Sequence, residues 1–141
     1  MNQQKLVIDG AQLRQTLEDF SAFGATENQG VTRLALSEED LQAREYFRSQ
    51  CEALGMVVTV DDLGIMYSTL EGEDPDRPAI YMGSHLDSVK KGGRFDGVLG
   101  VVAGLEVARS FVRNKIKPEC SIVLINFTNE EGARFEPSMM A

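Results

Sequence analysis

The stretch AIYMGSHLDSVKKGGRFDGVLGVVAGLEVARSFVRNKIKPECSIVLINFT (79–128) decides the fold. Ala79 to Met82 is a short apolar run between Pro78 and Gly83, consistent with a buried strand, and residues 83–97 form a loop rich in glycine and charge. Val98, Val101, Val102, Leu105, Ala108 and Val112 then recur at i, i+3, i+4 spacing, which predicts a helix to about Asn114. Pro118 separates that helix from Ser121–Thr128, the clearest buried strand of the chain. Strand, loop, helix and strand in this order make a βαβ unit with an expected right-handed crossover, and the fold class is α/β.

Working outward, Met56–Val60 and Ile65–Leu70 flank the turn formers Asp61 to Gly64 and predict a strand pair. EGEDPDRP (71–78) is a polar loop. Upstream, Ser37 and Asp40 stand three apart as a capping signal for a helix carrying Ala43, Phe47, Cys51 and Leu54 on one face and closing at Gly55. Leu13, Leu17 and Phe20 predict a first helix capped by Asp9 and ending at Gly24. Residues 25–36 have no decisive local pattern and are expected as a loop or short extended piece.

The chain has 141 residues, 43% hydrophobic and 26% charged, a globular composition of about one domain. A formal charge of −8 and no basic stripe argue against nucleic acid as a partner. No segment approaches the ~18 uninterrupted apolar residues of a membrane span, and Met1–Gly10 lacks a signal-peptide core. Cys51 and Cys120 lie too far apart for a zinc finger, and two unpaired thiols suggest a reducing, cytoplasmic setting. The residues after Pro137 carry no closing signal, so the expectation is that the chain is cut short.

In open α/β sheets, functional groups gather beyond the carboxyl ends of strands. Both core strands run into polar clusters there: Gly83, Ser84, His85, Leu86, Asp87 after the first, and Asn129, Glu130, Glu131 after the second. His85 and Asp87, two apart, leave an extended segment on the same side, so the carboxylate can serve the imidazole. Glu130 and Glu131, adjacent on an extended exit, are expected to diverge and to hold different jobs. Asp96, flanked by Phe95 and Gly97, is expected to cap the helix beginning near Val98 and, compatibly, to offer a hard anionic ligand.

Each motif alone has a plainer reading: a hydrogen-bonded loop histidine, a solvated acidic turn, a capping aspartate. Gly97, Gly100 and Gly104 fit neither a dinucleotide nor a P-loop pattern, and neither Ser84 nor Ser138 sits in a nucleophile elbow. Lys90, Lys91 and Arg94 form a local positive patch that could draw an anionic substrate or simply be solvated. Jointly, one histidine and several carboxylates at adjacent strand ends describe half of a divalent-metal site suited to Zn, Mn, Co or Ni. His85 is the chain's one histidine.

GVTRLALS (30–37), GSHLDSVKKGGRFDGVLGVVAGLEV (83–107) and FTNEEGARF (127–135) together resemble the amidase/hydantoinase/carbamoylase branch of the M20 metallopeptidase family. That branch includes N-carbamoyl-L-amino acid hydrolases, allantoate amidohydrolases and β-ureidopropionases. Its peptidase relatives generally lack the GVTRL segment. The resemblance implies the N-terminal part of a zinc-exopeptidase-like catalytic domain, a mixed β-sheet flanked by helices, holding two divalent metal ions. By it, His85 would ligate one metal, Asp96 would bridge two, Glu131 would ligate the second, Glu130 would be the general base and Asp87 would orient His85.

It further implies hydrolysis of the C–N bond of a small linear ureido substrate. Two more histidines and a lid and dimerisation insert, making a homodimer, would lie downstream of these residues. Ile65 departs from the asparagine common in relatives, which leaves the turn at Gly64 open. Two other functions stay open: an inert chain that binds metal weakly at most, and peptidase or aminoacylase activity on peptides or acyl amino acids.

Overall fold

The computed structural model describes residues 6–138. In chain order the elements are α1 (Gly10–Ser21), α2 (Glu38–Glu52), β1 (Val57–Val60), β2 (Met66–Leu70), β3 (Ile80–His85), α3 (Val98–Arg113) and β4 (Ile122–Phe127). Met1–Lys5 and Met139–Ala141, where the start and end of the sequence were read, lie outside the described residues.

Local chemistry accounts for the helix starts. The Asp9 carboxylate accepts from the N–H groups of Ala11 and Gln12, both at 3.0 Å, and so caps α1. Ser37 Oγ accepts from Asp40 N–H at 3.3 Å, while the Asp40 carboxylate reaches back to Leu36 N–H at 2.9 Å, one residue earlier than in the usual reciprocal box. The hairpin turn forms despite Ile65: Gly64 takes φ +80°, and Asp61 Oδ1 accepts from Leu63 N–H and Ile65 N–H at 2.9 Å each.

The sheet order is β1-β2-β4-β3, with β3 and β4 parallel and the other neighbours antiparallel, which is the mixed sheet expected. In register, Met82 pairs with Leu124, Leu124 with Ser68 and Ser68 with Val58, so these residues share one face. α2 and α3 pack against the sheet and α1 against α3, with Leu17, Phe20, Ala43, Phe47, Val101, Val102 and Leu105 buried in one core with Met66 and Leu124. Each large side chain buried this fully contributes about 1.5–3 kcal/mol.

One boundary differs in a way that matters. The strand expected to stop at Met82 runs on to His85, because Gly83, Ser84 and His85 stay in parallel register with Ile125, Asn126 and Phe127. Gly83 and Ser84 read as loop formers by composition, but β4 supplies the pairing edge. His85 is therefore the last residue of a strand and inherits the strand's rigidity.

Asp96 does not cap α3. The cap position is Gly97, without a side-chain bond, and Asp96 contributes only its carbonyl, accepting from Val98 N–H at 2.7 Å. Gly97 has φ +67°, and a Cβ there would stand 2.5 Å from Cε1 and Nε2 of His85. At Gly100 it would stand 2.7 Å from Ser84 Cβ, and at Gly104 2.9 Å from Leu124 Cδ2. The three glycines that match no nucleotide motif are thus a bare stripe that lets α3 lie against β3 and β4.

Candidate functional site

The site sits where β3 and β4 end beside the start of α3. His85 is 7% exposed, and its Nδ1 lies 2.9 Å from the Asp87 carbonyl oxygen. A carbonyl can only accept, so Nδ1 carries the proton and a neutral ring presents Nε2 as a lone pair. The Asp87 carboxylate is farther, 3.8 Å from Nδ1, and its two oxygens accept instead from Glu130 N–H and Glu131 N–H at 3.2 Å each. Asp87 therefore joins the two strand ends: its main chain holds the histidine and its side chain holds the glutamate turn.

Glu130 and Glu131 do not diverge along an extended exit, as alternation predicts. Asn129 takes φ +55°, which turns the chain directly after β4. Its Nδ2 donates to the carbonyls of Phe135 at 2.9 Å and Pro137 at 3.1 Å, folding the following segment back over the turn. Consequently His85, Glu130 and Glu131 each offer a ligand atom within 4.8 Å of one another. Asp96 is exposed and outside that trio. It is close enough that its charge, after burial, is the main cause raising the Glu131 carboxyl above its ordinary value; Glu130 and Asp87 add to the rise and His85 opposes it.

These residues fit a divalent cation. Nε2 of His85 stands 3.3 Å from Glu130 Oε2, and with Nδ1 already donating these are two acceptors face to face unless a cation or a proton lies between them. Ligands ~2.0–2.1 Å from a tetrahedral zinc are separated by ~3.3–3.4 Å. An imidazole nitrogen with carboxylate oxygens is a donor set for Zn, Mn, Co or Ni. Crowded carboxylates with one raised proton affinity are what a cation would relieve.

Of the positive patch, Arg94 pairs with Glu18 at 3.1 Å and its guanidinium lies over the Phe95 ring. Sequence reasoning missed Arg33: residues 25–36 are indeed irregular, bridged at Ala25–Val31 and Val31–Gly92, but Arg33 is fully buried among them. The TR pair inside GVTRL was the available signal. Among the described residues no helix is long and apolar enough to cross a membrane.

The sequence matches Peptidase family M28 over residues 66–135, the hairpin's second strand and the whole βαβ unit. An N-carbamoyl-L-amino-acid amidohydrolase of Rhizobium meliloti is 42% identical over 95% of this chain and 32% of its own length. A ureidoglycolate hydrolase of Arabidopsis thaliana is 32% identical over 92% of this chain and 27% of its own. A hydantoinase/carbamoylase family amidase from Burkholderia ambifaria superposes with a TM-score of 0.92 at 44% identity, covering 94% of this chain and 33% of that one. The chain thus spans about one third of the length of the proteins it matches, and over nearly all of its own length it is similar in sequence and fold to amidases of the hydantoinase/carbamoylase family.

Proposed function

We propose that this chain supplies part of the divalent-metal centre of an amidohydrolase that cleaves the C–N bond of a linear ureido group, as in N-carbamoyl-L-amino acids or allantoate. The observation that carries the reading is the Nδ1-protonated His85 facing Glu130 across 3.3 Å, with Glu131 in reach of both. N-carbamoyl amino acids and ureidoglycolate, named for two relatives, share that ureido group.

In this reading His85, Glu131 and Asp96, which is free of capping duty, would hold two metal ions. Bound ions there would polarise the substrate carbonyl and lower the pKa of an attacking water toward ~7. Glu130 takes the water proton and returns it to the leaving nitrogen. Asp87 keeps Nε2 of His85 free by accepting a hydrogen bond from Nδ1–H on its carbonyl, and holds Glu130 and Glu131 through their amides. Assembly as a homodimer belongs to the same proposal.

Ammonia release from N-carbamoyl-L-amino acids and allantoate by the whole gene product, with Zn, Mn or Co supplied, tests this reading. Activity lost on adding a chelator and in Glu130→Gln is the expected result; no release from either substrate class refutes it. The match to a peptidase family favours a second reading, cleavage of a peptide bond, and dipeptides hydrolysed in preference to carbamoyl amino acids would support that instead.

A further inference from the structure

The segment GVTRLALS has no part in the chemistry proposed above, yet its arginine grips the site from behind. Arg33 Nε donates to the Leu86 carbonyl at 2.7 Å, and Nη1 donates to the carbonyls of Phe20 at 2.8 Å and Phe23 at 3.2 Å. Its main chain brackets Ser88: Arg33 N–H donates to Ser88 Oγ at 2.9 Å, and Ser88 N–H donates to the Arg33 carbonyl at 2.8 Å. Leu86 and Ser88 are thereby both held, and the residue between them is Asp87, which bonds to His85, Glu130 and Glu131 alike.

Burying a guanidinium is costly, and an apolar side chain would fill the same volume at lower cost. What an apolar chain lacks is a rigid fork of donors able to fix carbonyls from separate segments in one plane. Here the fork ties the end of α1 to the strand exit that bears the histidine. We propose that Arg33 is a positioning residue of the metal centre: by clamping Leu86 and Ser88 it fixes Asp87, and through Asp87 it sets the Nδ1-protonated tautomer of His85 and the placement of Glu130 and Glu131. The metal part rests on the preceding reading of the site, whereas the tautomer part stands without it.

A structural role alone would change stability and nothing else, so the test reads two other quantities. His85 is the chain's one histidine, so its ring nitrogens can be followed without ambiguity by 15N resonances of the metal-free chain at alkaline pH, where imidazoles are neutral. Zinc affinity is measured alongside by competition with a chromophoric chelator. Arg33→Gln and Ser88→Ala are expected to mix the two tautomers and to weaken zinc about 10- to 100-fold. Arg109→Gln removes another buried arginine, bonded to Thr16 and Gln50, and is expected to lower stability while leaving tautomer and zinc affinity as in the wild type.

Should Arg33→Gln fail to fold, Ser88→Ala, which removes one hydroxyl, carries the test. A single unchanged tautomer with wild-type zinc affinity in the folded variants overturns the inference, as does an equal change in Arg109→Gln. A whole gene product that binds no zinc overturns the metal reading alone, and the tautomer then decides the role of Arg33.

Discussion

Replacing Gly97 by alanine puts a methyl group where His85 already stands, 2.5 Å from Cε1 and Nε2 of the ring. Ordinary contacts between such atoms are about 3.5–4.0 Å, so something must move by about 1 Å. α3 cannot retreat freely, because one turn further on Gly100 rests against Ser84 and then Gly104 against Leu124. The imidazole and the His85 carbonyl oxygen, which the methyl would also meet at 2.5 Å, must therefore yield, carrying the ring away from the carboxylates it serves. Two costs add: about 1–2 kcal/mol for a Cβ at positive φ, and about 1–3 kcal/mol for overpacking. The sum, about 2–5 kcal/mol, corresponds to a melting temperature roughly 6–15 °C lower for a chain of this size. Gly93→Ala is the control, since its Cβ would meet nothing within 4 Å, and it is expected to be neutral or slightly stabilising. Thermal unfolding of both variants and the wild type, followed by circular dichroism, reads the difference. Gly97→Ala melting within 2 °C of wild type would refute the reasoning that the glycine exists to admit the histidine.

Other outcomes follow from the same structure. Glu106 is fully buried in α3, accepting from Arg113 Nη2 at 3.1 Å and Asp9 N–H at 3.0 Å with Arg109 Nη1 3.5 Å away; Glu106→Gln strands Arg109 and should cost about 3–5 kcal/mol in urea unfolding, a loss under about 1 kcal/mol counting against it. Burial pushes the Cys51 thiol up to about 11, so at pH 8 Ellman's reagent should modify only Cys120 in the native chain and both thiols after denaturation; two reactive thiols in the native chain would contradict this. Glu131 is held above its ordinary value of 4.5, so the stability it contributes is present below that value and is lost as pH rises through the raised one. Glu131→Gln should therefore raise the melting temperature of the metal-free chain at pH 7 while weakening zinc; a lower melting temperature would refute the crowding argument. In the wild type, zinc and the proton compete for that carboxylate, so zinc affinity should climb as pH rises through its raised value in titration calorimetry.

The expectations drawn from sequence that held are local. Asp9 and Ser37 cap helices because a short side chain beside its own N–H groups needs no partner elsewhere. The failures share a cause. Asp96 followed the capping rule by type, but Gly97, at positive φ, redirects the chain before a side-chain cap can form. Glu130 and Glu131 followed strand alternation, but Asn129 ends the strand and turns them together.

By itself the sequence determined the βαβ unit, the hairpin and the two clusters at the strand ends, because apolar periodicity and turn residues act over about ten positions or fewer. Tertiary structure alone decided which atoms meet. Arg33 reaches Leu86 across 53 positions, and Asp87 takes the amides of Glu130 and Glu131 across 43 and 44. Such bonds depend on the parallel pairing of β3 with β4 and on the 25–36 segment lying against the segment after β3, and no local pattern records that distance.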